Sequence, residues 1–491
     1  MKSVKLMCVT AIALAGLKVS FVMAAEGPNS GPEQASVSTR TVSGHEIVHY
    51  KNTSVPVDLS GSPIAALVPN GTGGYNQIAG TGTSTGTFSI PNVPTGFYLL
   101  QLGYGKYLWT NNTTVNADSY ENYRSTAAGA SAGTTLTFDV ANLNAWQDTD
   151  YFEVLAPNSC GGDFLTGTAG VAGETTFTGT FAYTNALIDY TKGDHTYVTQ
   201  VITQPVGGYD FTALGRYFAP SNFVLANGSN TTLTGTLKTI SQTQTFRANI
   251  NGSDLAAQAL KLHPGSTLIL SKIYLDAYPG SLAKGPTFCI PDLVVYDLLP
   301  DPTKKLFKVN ADLGDVSYGN PFPSTWPLLS GYYYIAQTKY LAPGATKAAT
   351  WWNGFGDWTT VMPTATNPIT PLVGVVTSPT VKGVNFFKNY TGIGLTPTLS
   401  WAPPSVGAAN FYNVTVSQLV NNGGNTQING LATLQTQTTS ITIPPGLLSS
   451  GNAYVFSIAA RYCAGVNMAT TPYVCSSTGA FAYASSGIMK P

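Results

Sequence analysis

The sequence predicts an all-β protein of several domains, arranged as tandem β-sandwiches. Short apolar runs alternate with polar residues along most of the chain and are separated by turn residues, a pattern typical of half-buried strands. Charged residues make up only 9% of the 491 residues, whereas glycine alone contributes 51. Surfaces rich in Gly, Thr, Ser and Asn favour strands and turns over helices. At this length the chain has room for about two to four domains.

The charge balance argues against nucleic acid as a partner. Lys and Arg together number 23, Asp and Glu also number 23, and the formal net charge is zero. Phosphate backbones are bound by clustered Lys and Arg side chains, which this sequence lacks. We therefore predict no nucleic-acid partner.

Residues 1–24 have the features of a bacterial signal peptide. Lys2 and Lys5 supply a positive start, the run Val9 to Val22 is mostly apolar, and Ala24 is the small residue that precedes cleavage. Later stretches fall short of the roughly 20 apolar residues that span a bilayer. We therefore predict a secreted, cell-surface or periplasmic protein with no transmembrane segment after signal cleavage.

Residues 25–40 are polar and proline-containing, which predicts a flexible lead-in. Residues 41–130 are predicted to form a small β-sandwich followed by a linker. The clearest part of this region is a pair of alternating strands joined as a hairpin by a turn at Pro94 to Gly96. The low apolar content of Asn111 to Gly133 predicts the linker.

The two alternating strands carry a spaced pattern of glycine, proline and apolar residues. Its positions are Gly86, Phe88, Ile90, Pro94, Gly96, Tyr98 and Leu100. The pattern resembles the Gly-x-Phe-x-Ile and Pro-x-Gly-x-Tyr-x-Leu repeat of the carboxypeptidase regulatory-like, or transthyretin-like, β-sandwich. The resemblance covers about one hairpin and implies a structural or binding accessory module.

Residues 131–362 continue the β pattern and are predicted to form one large β domain or two fused ones. One short helix is predicted at Asp254 to Leu262, with Ser253 as its N-cap. We recognise no family motif in this central region.

Residues 363–491 begin in a Pro- and Thr-rich stretch, which marks a domain boundary, and then resume the alternation. Trp401 takes an apolar position on an early strand, and residues 448–454 read LSSGNAY. This segment resembles the tyrosine corner of a fibronectin type III domain, with Ser450 in place of the proline. The resemblance implies a β-sandwich in which the Tyr454 hydroxyl bonds a backbone group near the corner. It also implies a spacer, binding or presentation role.

Removal of the signal peptide takes Cys8 with it and leaves four cysteines, an even number that predicts two disulfides in an exported chain. Three pairings are possible. We favour Cys463 with Cys475, which are close in sequence across a terminal hairpin, and Cys160 with Cys289 within the central region. The absence of a Cys-x-x-Cys pair argues against a metal site.

Residues 45–49 read HEIVH, which matches the H-E-x-x-H motif of zinc proteases. In those enzymes the motif lies on a helix, so that both histidines bind the metal. The flanking residues here are β-branched and turn-forming and predict a strand, in which His45 and His49 would stand about 13 Å apart. The Gly and third His of the longer motif are missing downstream. We therefore predict no metal ligands.

Trp351, Trp352, Phe355 and Trp358 form an aromatic group and are the candidate binding residues. Asn353-Gly354 is a strong hairpin signal, so we expect some of these rings to flank a turn. Rings exposed at such a turn stack on sugars or on other apolar surfaces. The alternative is that they close the core beneath the boundary with the C-terminal region.

Together these features favour an exported, non-enzymatic protein for binding, adhesion or surface structure. Its expected partner is an extracellular polysaccharide or a surface protein, and we predict no catalytic residue and no cofactor. A first alternative is a secreted hydrolase of polysaccharide or protein with its active site in residues 134–362, which two close carboxylates in a pocket would favour. A second is a zinc metalloprotease acting through His45, Glu46 and His49.

Overall fold

The computed structural model describes residues 38–125, 128–165, 170–282, 290–298 and 309–491. Strands account for 53% of the described residues and helices for 3%, which confirms the predicted all-β, multidomain class. The predicted signal peptide, residues 1–24, lies outside the described residues. The first strand begins at Thr39, inside the predicted lead-in.

The N-terminal region is a sandwich of two groups of strands. One group has the order β10-β1-β7-β6, the other has the order β5-β4-β8-β9, and their apolar side chains meet in one core. The strands of this region are β1 Thr39–His45, β2 Ile47–His49, β3 Ser54–Pro56, β4 Ile64–Pro69, β5 Tyr75–Ala79, β6 Thr81–Gly82, β7 Thr87–Pro94, β8 Tyr98–Leu102, β9 Lys106–Thr110, β10 Thr114–Asn116 and β11 Ser119–Tyr120.

Strands β7 and β8 are the two strands predicted as a hairpin, and their inward side chains are buried as the alternation predicts. Phe88 and Ile90 on β7 and Leu100 on β8 are at most 3% exposed. However, β7 pairs with β1 and β6, whereas β8 pairs with β4 and β9. The turn at Pro94 to Gly96 therefore crosses between the two sides of the sandwich, and the hairpin prediction is wrong.

The polar stretch Asn111 to Gly133, predicted as a linker, is packed over much of its length. Strands β10 and β11 lie within it and pair in parallel with β1 and β2. Asp118, Asn122 and Arg124 are at most 7% exposed, and Arg124 donates through Nε and Nη2 to both carboxylate oxygens of Asp194. Low apolar content is misleading here because the buried groups are polar and bond to residues elsewhere in the chain: Asp118 to His45, Asn122 to Tyr278 and Arg124 to Asp194.

The central region combines a small sheet, ordered β15-β12-β18, with strands of a much longer sheet. An aromatic core that includes Phe138, Phe152 and Phe177 lies between them. The strands are β12 Thr135–Ala141, β13 Tyr151–Ala156, β14 Gly161–Leu165, β15 Thr176–Ala182, β16 Tyr197–Val206, β17 Tyr209–Phe218, β18 Asn230–Thr236, β19 Lys238–Thr239, β20 Gln244–Ile250, β21 Thr267–Ala277, β22 Asp292–Leu298, β23 Ala311–Tyr318, β24 Leu328–Tyr340 and β25 Ala349–Thr359, with a 3-10 turn at Tyr190–Lys192.

The predicted helix is present as α1, Gly252–Ala259, but its N-cap differs from the prediction. Asn251 caps the helix by accepting the N–H of Asp254 at 3.4 Å, and Ser253 donates its hydroxyl to Asn251 at 3.0 Å. Both residue types are favoured caps. The helix begins before Ser253, so Asn251 occupies the position whose side chain reaches a free N–H.

The C-terminal region is a sandwich of two sheets, ordered β27-β26-β29-β32 and β31-β30-β33-β34. Trp401 is 6% exposed and packs edge-on against Tyr412, while the Tyr454 hydroxyl accepts the N–H of Ser449 at 2.8 Å. The fibronectin type III assignment stays a prediction. The strands are β26 Thr377–Val381, β27 Val384–Asn385, β28 Tyr390–Thr391, β29 Thr398–Ala402, β30 Phe411–Asn422, β31 Asn425–Thr436, β32 Ser440–Thr442, β33 Ala453–Cys463, β34 Gly479–Ser485 and β35 Met489–Lys490.

One 19-stranded sheet connects all three regions. Strand β31 pairs in parallel with β9, so that Thr433 faces Lys106, and β25 pairs antiparallel with β34. These ladders cross the predicted boundaries after residues 130 and 362. The C-terminal strands are therefore hydrogen-bonded both to the N-terminal sandwich and to the central region.

The predicted disulfide between Cys463 and Cys475 is confirmed. Cys289, the predicted partner of Cys160, lies outside the described residues. Within the ranges given above, no helix is both long and apolar enough to cross a membrane.

Candidate functional site

The predicted aromatic group lies within one continuous strand, β25, instead of around a turn. Asn353-Gly354 occupies the middle of this strand, which pairs with β24 along its whole length. The hairpin prediction is therefore wrong. Tertiary contacts override the local turn preference of Asn353-Gly354. The Asn353 amide donates to Ser266 at 3.1 Å, and a Cβ at Gly354 would lie 2.2 Å from the Tyr334 carbonyl oxygen.

Alternation along β25 divides the four predicted rings between two faces of the sheet. Phe355 is fully buried and stacks on Tyr334 at 4.9 Å, and Trp351 donates from Nε1 to Ser485 at 3.1 Å. Trp352 and Trp358 share the opposite face, where Trp352 is 40% exposed and Trp358 is partly exposed. Whether these residues bind a ligand stays a prediction.

The face that carries Trp358 also carries aromatic rings from the two strands beside it. Tyr333 comes from β24, and Phe481 and Tyr483 come from β34; all are partly exposed. The ring centroids of Trp358 lie 5.1 Å from Tyr333 and 5.7 Å from Phe481, and those of Phe481 and Tyr483 are 5.4 Å apart. We call Tyr333, Trp358, Phe481 and Tyr483 the aromatic face.

Glycines lie beside the rings in the cross-strand register. Trp358 pairs with Gly331 on one side and Gly479 on the other, and Gly356 lies between Tyr333 and Phe481. An added Cβ on Gly356 would lie 2.7 Å from a carbon of the Tyr333 ring, so this ring occupies the space beside the glycine. The glycines therefore let the rings lie close to the sheet and to one another, as in the edge-to-face contact between Tyr333 and Trp358.

A cation lies at each end of this row of strands. Arg461 on β33 pairs with Phe481, and its guanidinium carbon lies 5.8 Å from the centre of that ring. Lys272 on β21 pairs with Tyr333, and its Nζ lies 5.4 Å from the centre of the Tyr274 ring. Both contacts are within the range of cation–π attraction.

Two carboxyl groups lie beside Lys272. Asp276 on β21 faces Asp292 on β22 and hydrogen-bonds to it, and Lys272 Nζ lies 3.0 Å from Asp292 Oδ2. Burial of Asp276, together with the charge of Asp292, raises the pKa of Asp276 well above its ordinary range. Burial therefore favours the protonated form of Asp276, whereas Lys272 balances the charge of Asp292.

The histidines of the H-E-x-x-H match are brought together by a carboxylate distant in sequence. Asp118 Oδ2 lies 3.2 Å from His45 Nε2 and 3.4 Å from His49 Nε2. The chain leaves β1 at His45 and starts β2 in another sheet, so the predicted 13 Å separation along one strand is wrong. Glu46 is ion-paired to Lys106 at 2.9 Å. Across the described part of the chain, no group of three His, Cys, Asp or Glu side chains is arranged to hold a metal ion.

The sequence predicts Trp358 as a candidate, but the local pattern does not identify Phe481, Tyr483 and Arg461. Phe481 and Tyr483 alternate with alanines on β34, which identifies a strand with one aromatic side. That signal was available. The pairing of β34 with β25 could not be predicted, because the local sequence pattern does not determine the order of strands in a sheet.

Comparison with known proteins identifies no family. No family model matches the chain, and no curated protein matches it. Among solved structures, a trypsin-activated alpha-2-macroglobulin from Escherichia coli aligns at 12% identity with a TM-score of 0.11. The alignment covers 89% of this chain and 29% of that one, so this chain spans less than a third of that protein's length. A similarity this low carries no argument about fold or function.

Proposed function

We propose that this protein is an exported, non-enzymatic binding protein of the cell surface or periplasm, and that its aromatic face holds an extracellular polysaccharide. The observation that carries the proposal is the set of four partly exposed rings on one side of adjacent strands. Sugar rings present apolar C–H faces that pack on aromatic rings, and hydroxyl groups that need hydrogen-bond partners. The face offers both, because Arg461, Lys272 and Asp292 lie at its ends.

Export and a structural role for the C-terminal region support the same proposal. A disulfide persists in oxidising compartments, which agrees with the leader-like residues 1–24. The resemblance of residues 448–454 to a tyrosine corner implies a presentation module. A surface protein is the other partner class that such a face would fit.

The proposal is tested by retention of the full chain on insoluble cellulose, chitin and cross-linked polygalacturonate. Trp358→Ala and Phe481→Ala each remove one ring of the aromatic face. We expect each to weaken retention on the bound polymer about tenfold or more, because central aromatic contacts dominate binding energy. Affinity is measured by depletion of protein from solution at increasing amounts of polymer.

Two controls separate ring stacking from general damage. Tyr104→Ala removes a ring that is 67% exposed in the turn between β8 and β9 and should bind like the natural chain. Phe481→Leu keeps apolar volume but loses the flat ring, so it should bind as weakly as Phe481→Ala while unfolding at nearly the natural temperature. Undiminished retention by folded Trp358→Ala and Phe481→Ala would contradict the proposal.

The hydrolase alternative has one observation in its favour, the contact between Asp276 and Asp292. Glycosidases separate their two carboxyl groups by about 5 Å or more, so that a sugar fits between them, whereas this pair is in hydrogen-bond contact. The groove of about 460 Å³ lined by residues 341–345, 389–391, Ile488 and Lys490 does not include either acid. Release of reducing ends from the bound polymer, lost in Asp292→Asn, would establish the hydrolase instead.

A further inference from the structure

We infer that the aromatic face selects acidic polysaccharides and that Arg461 binds their carboxylate groups. This inference rests on the proposed function and names the class of ligand. It is drawn from the surroundings of Arg461, from the distribution of charge along the face and from the separation of the two cations.

Arg461 differs from every other arginine of the chain in having no oxygen partner for its guanidinium. In the part of the chain that the structure describes, no carboxylate lies within ion-pair distance of it and no side-chain hydrogen bond is formed, even though its Nε is buried. The other four all donate to oxygen: Arg40 to the Gly96 carbonyl, Arg124 to Asp194, Arg216 to Asn144, and Arg247 to Asp312 and Asp315.

The position of Arg461 suits a ligand that lies on the rings. The residue is partly exposed, and its guanidinium lies over Phe481, which is itself part of the aromatic face. A guanidinium held against a ring is oriented and partly desolvated, and its planar fork matches a carboxylate with two hydrogen bonds. A sugar stacked on Phe481 would bring its own carboxylate to this fork.

Charge along the face points the same way. Lys272 is neutralised by Asp292, so the free positive charge of the face is that of Arg461. Arg461, Phe481, Gly356, Tyr333 and Lys272 follow one another across five paired strands. At about 4.8 Å per strand step, the two ends lie roughly 19 Å apart. The face therefore has an anion-binding end at Arg461 and, at Asp292, an acceptor of hydroxyl groups, which matches a polymer that carries both carboxylates and hydroxyls.

The experiment compares the full chain on two forms of one polymer, polygalacturonate and its methyl ester. Both have the same backbone, but the ester has lost the negative charge. We expect the natural chain to bind polygalacturonate about tenfold more tightly, with a preference that shrinks as salt rises. Arg461→Gln should bind polygalacturonate and its methyl ester with equal affinity, and Arg461→Lys should retain part of the preference for the acid form.

The outcomes separate this inference from the proposed function. Equal binding of both forms by the natural chain, or a preference unchanged in Arg461→Gln, overturns the inference while leaving a neutral polysaccharide as ligand. Retention of neither form, nor of cellulose or chitin, overturns the proposed function and the inference with it. A sulfated dextran is tested in parallel. If it binds as tightly as polygalacturonate and its binding also depends on Arg461, the site accepts any saccharide anion, and carboxylate selection is overturned. If Arg461→Gln fails to fold, the ratio of the natural chain's affinities for polygalacturonate and its methyl ester decides whether the face selects carboxylates.

Discussion

Asp276 and Asp292 show how two neighbouring residues of the same type come to have different roles. Asp292 is partly exposed and binds Lys272, so its charge is balanced. Asp276 is 5% exposed, and one of its oxygens has no hydrogen-bond partner in the structure. A buried carboxyl beside a second acid is most stable when protonated.

We predict that Asp276 makes the protein less stable as the pH rises. The pKa of Asp276 is raised in the folded chain, so between pH 4 and that raised value the folded state binds more protons than the unfolded state, and the free energy of unfolding falls with pH. Asp276→Asn cannot ionise and keeps a donor toward Asp292. Between pH 5 and pH 8, the free energy of unfolding of Asp276→Asn should fall by about 1 kcal/mol or more less than that of the natural chain does, as measured by urea unfolding.

The control for this prediction is Asp210→Asn, which removes an exposed aspartate on β17. It should follow the natural chain at both pH values. Equal losses of stability in Asp276→Asn and in the natural chain would show that Asp276 ionises in the folded protein as it does in the unfolded chain.

At the scale of single residues, sequence reasoning was limited by contacts over long distances in the chain. The sequence predicts one strand for His45 and His49, whereas they lie in two strands of different sheets, and their shared partner Asp118 lies 73 residues from His45. The same holds for Arg124, whose polar neighbourhood suggested a linker although the side chain is buried against Asp194. Local pattern predicts periodicity, and it does not predict which polar groups meet.

At the scale of elements, β24 and β25 show why the Asn-Gly signal failed. A two-residue turn would have divided β25, but every residue of that strand has a partner on β24. The pairing depends on glycines that let neighbouring groups approach. Gly331 has ordinary strand geometry, yet the Tyr274 ring lies directly over it and the Tyr274 hydroxyl donates to the Asp357 carbonyl.

We predict that Gly331→Ala disrupts this pair of strands. An added Cβ would lie 2.1 Å from the Asp357 carbonyl oxygen and 2.3 Å from the Tyr274 hydroxyl, and backbone at such a site cannot move aside cheaply. The expected loss is about 2–3 kcal/mol in the free energy of unfolding, measured by thermal or urea denaturation. Binding by the aromatic face should weaken as well, because Gly331 pairs with Trp358.

Gly61→Ala is the matched control, since nothing lies within 4 Å of an added Cβ there and its backbone is not in the left-handed region. It should change stability by less than about 0.5 kcal/mol. Similar stability of the two variants would mean that the Tyr274 ring can shift without cost, which the close approach at Gly331 argues against.

At the scale of the whole molecule, the segment between Cys463 and Cys475 joins parts that are distant in sequence. Thr470 accepts a backbone hydrogen bond from Asn116, and the ring of Tyr473 lies 4.1 Å from Lys106 Nζ. Just beyond the disulfide, the N–H of Ser477 donates to Leu282 in the central region. The disulfide closes the loop that makes these contacts.

We predict that replacing both cysteines with alanine, Cys463→Ala with Cys475→Ala, lowers the free energy of unfolding by about 2–4 kcal/mol. Without the covalent link, the unfolded chain gains freedom and the loop is less well held against the N-terminal sandwich. Thermal unfolding and the rate of limited proteolysis within residues 464–474 measure the two effects.

Ser476→Ala, beside the disulfide, is the comparison for this prediction and should unfold within about 1 kcal/mol of the natural chain. If the double alanine variant had the same free energy of unfolding as the natural chain, non-covalent contacts alone would hold the loop.

The general architecture could be predicted because strand periodicity is local, whereas the joining of its parts could not. Phe88 and Ile90 on one strand and Tyr412 and Val414 on another are buried as their alternation predicts. The parallel pairing of β9 with β31 depends on two strand edges that no short pattern links. Trp358 could be predicted because it lies in an aromatic cluster of the sequence. Phe481 could not, because it comes close to that cluster only through the pairing of β34 with β25.

The pairing of Lys106 with Thr433 also sets the order in which the molecule can be completed. Strand β9 is made early, and the edge that β31 will cover stays open until the last quarter of the chain has been synthesised. At about 5–20 residues per second, that wait lasts on the order of tens of seconds. An open edge held for so long invites pairing with another chain, so the growing polypeptide would need protection of this edge until β31 is made.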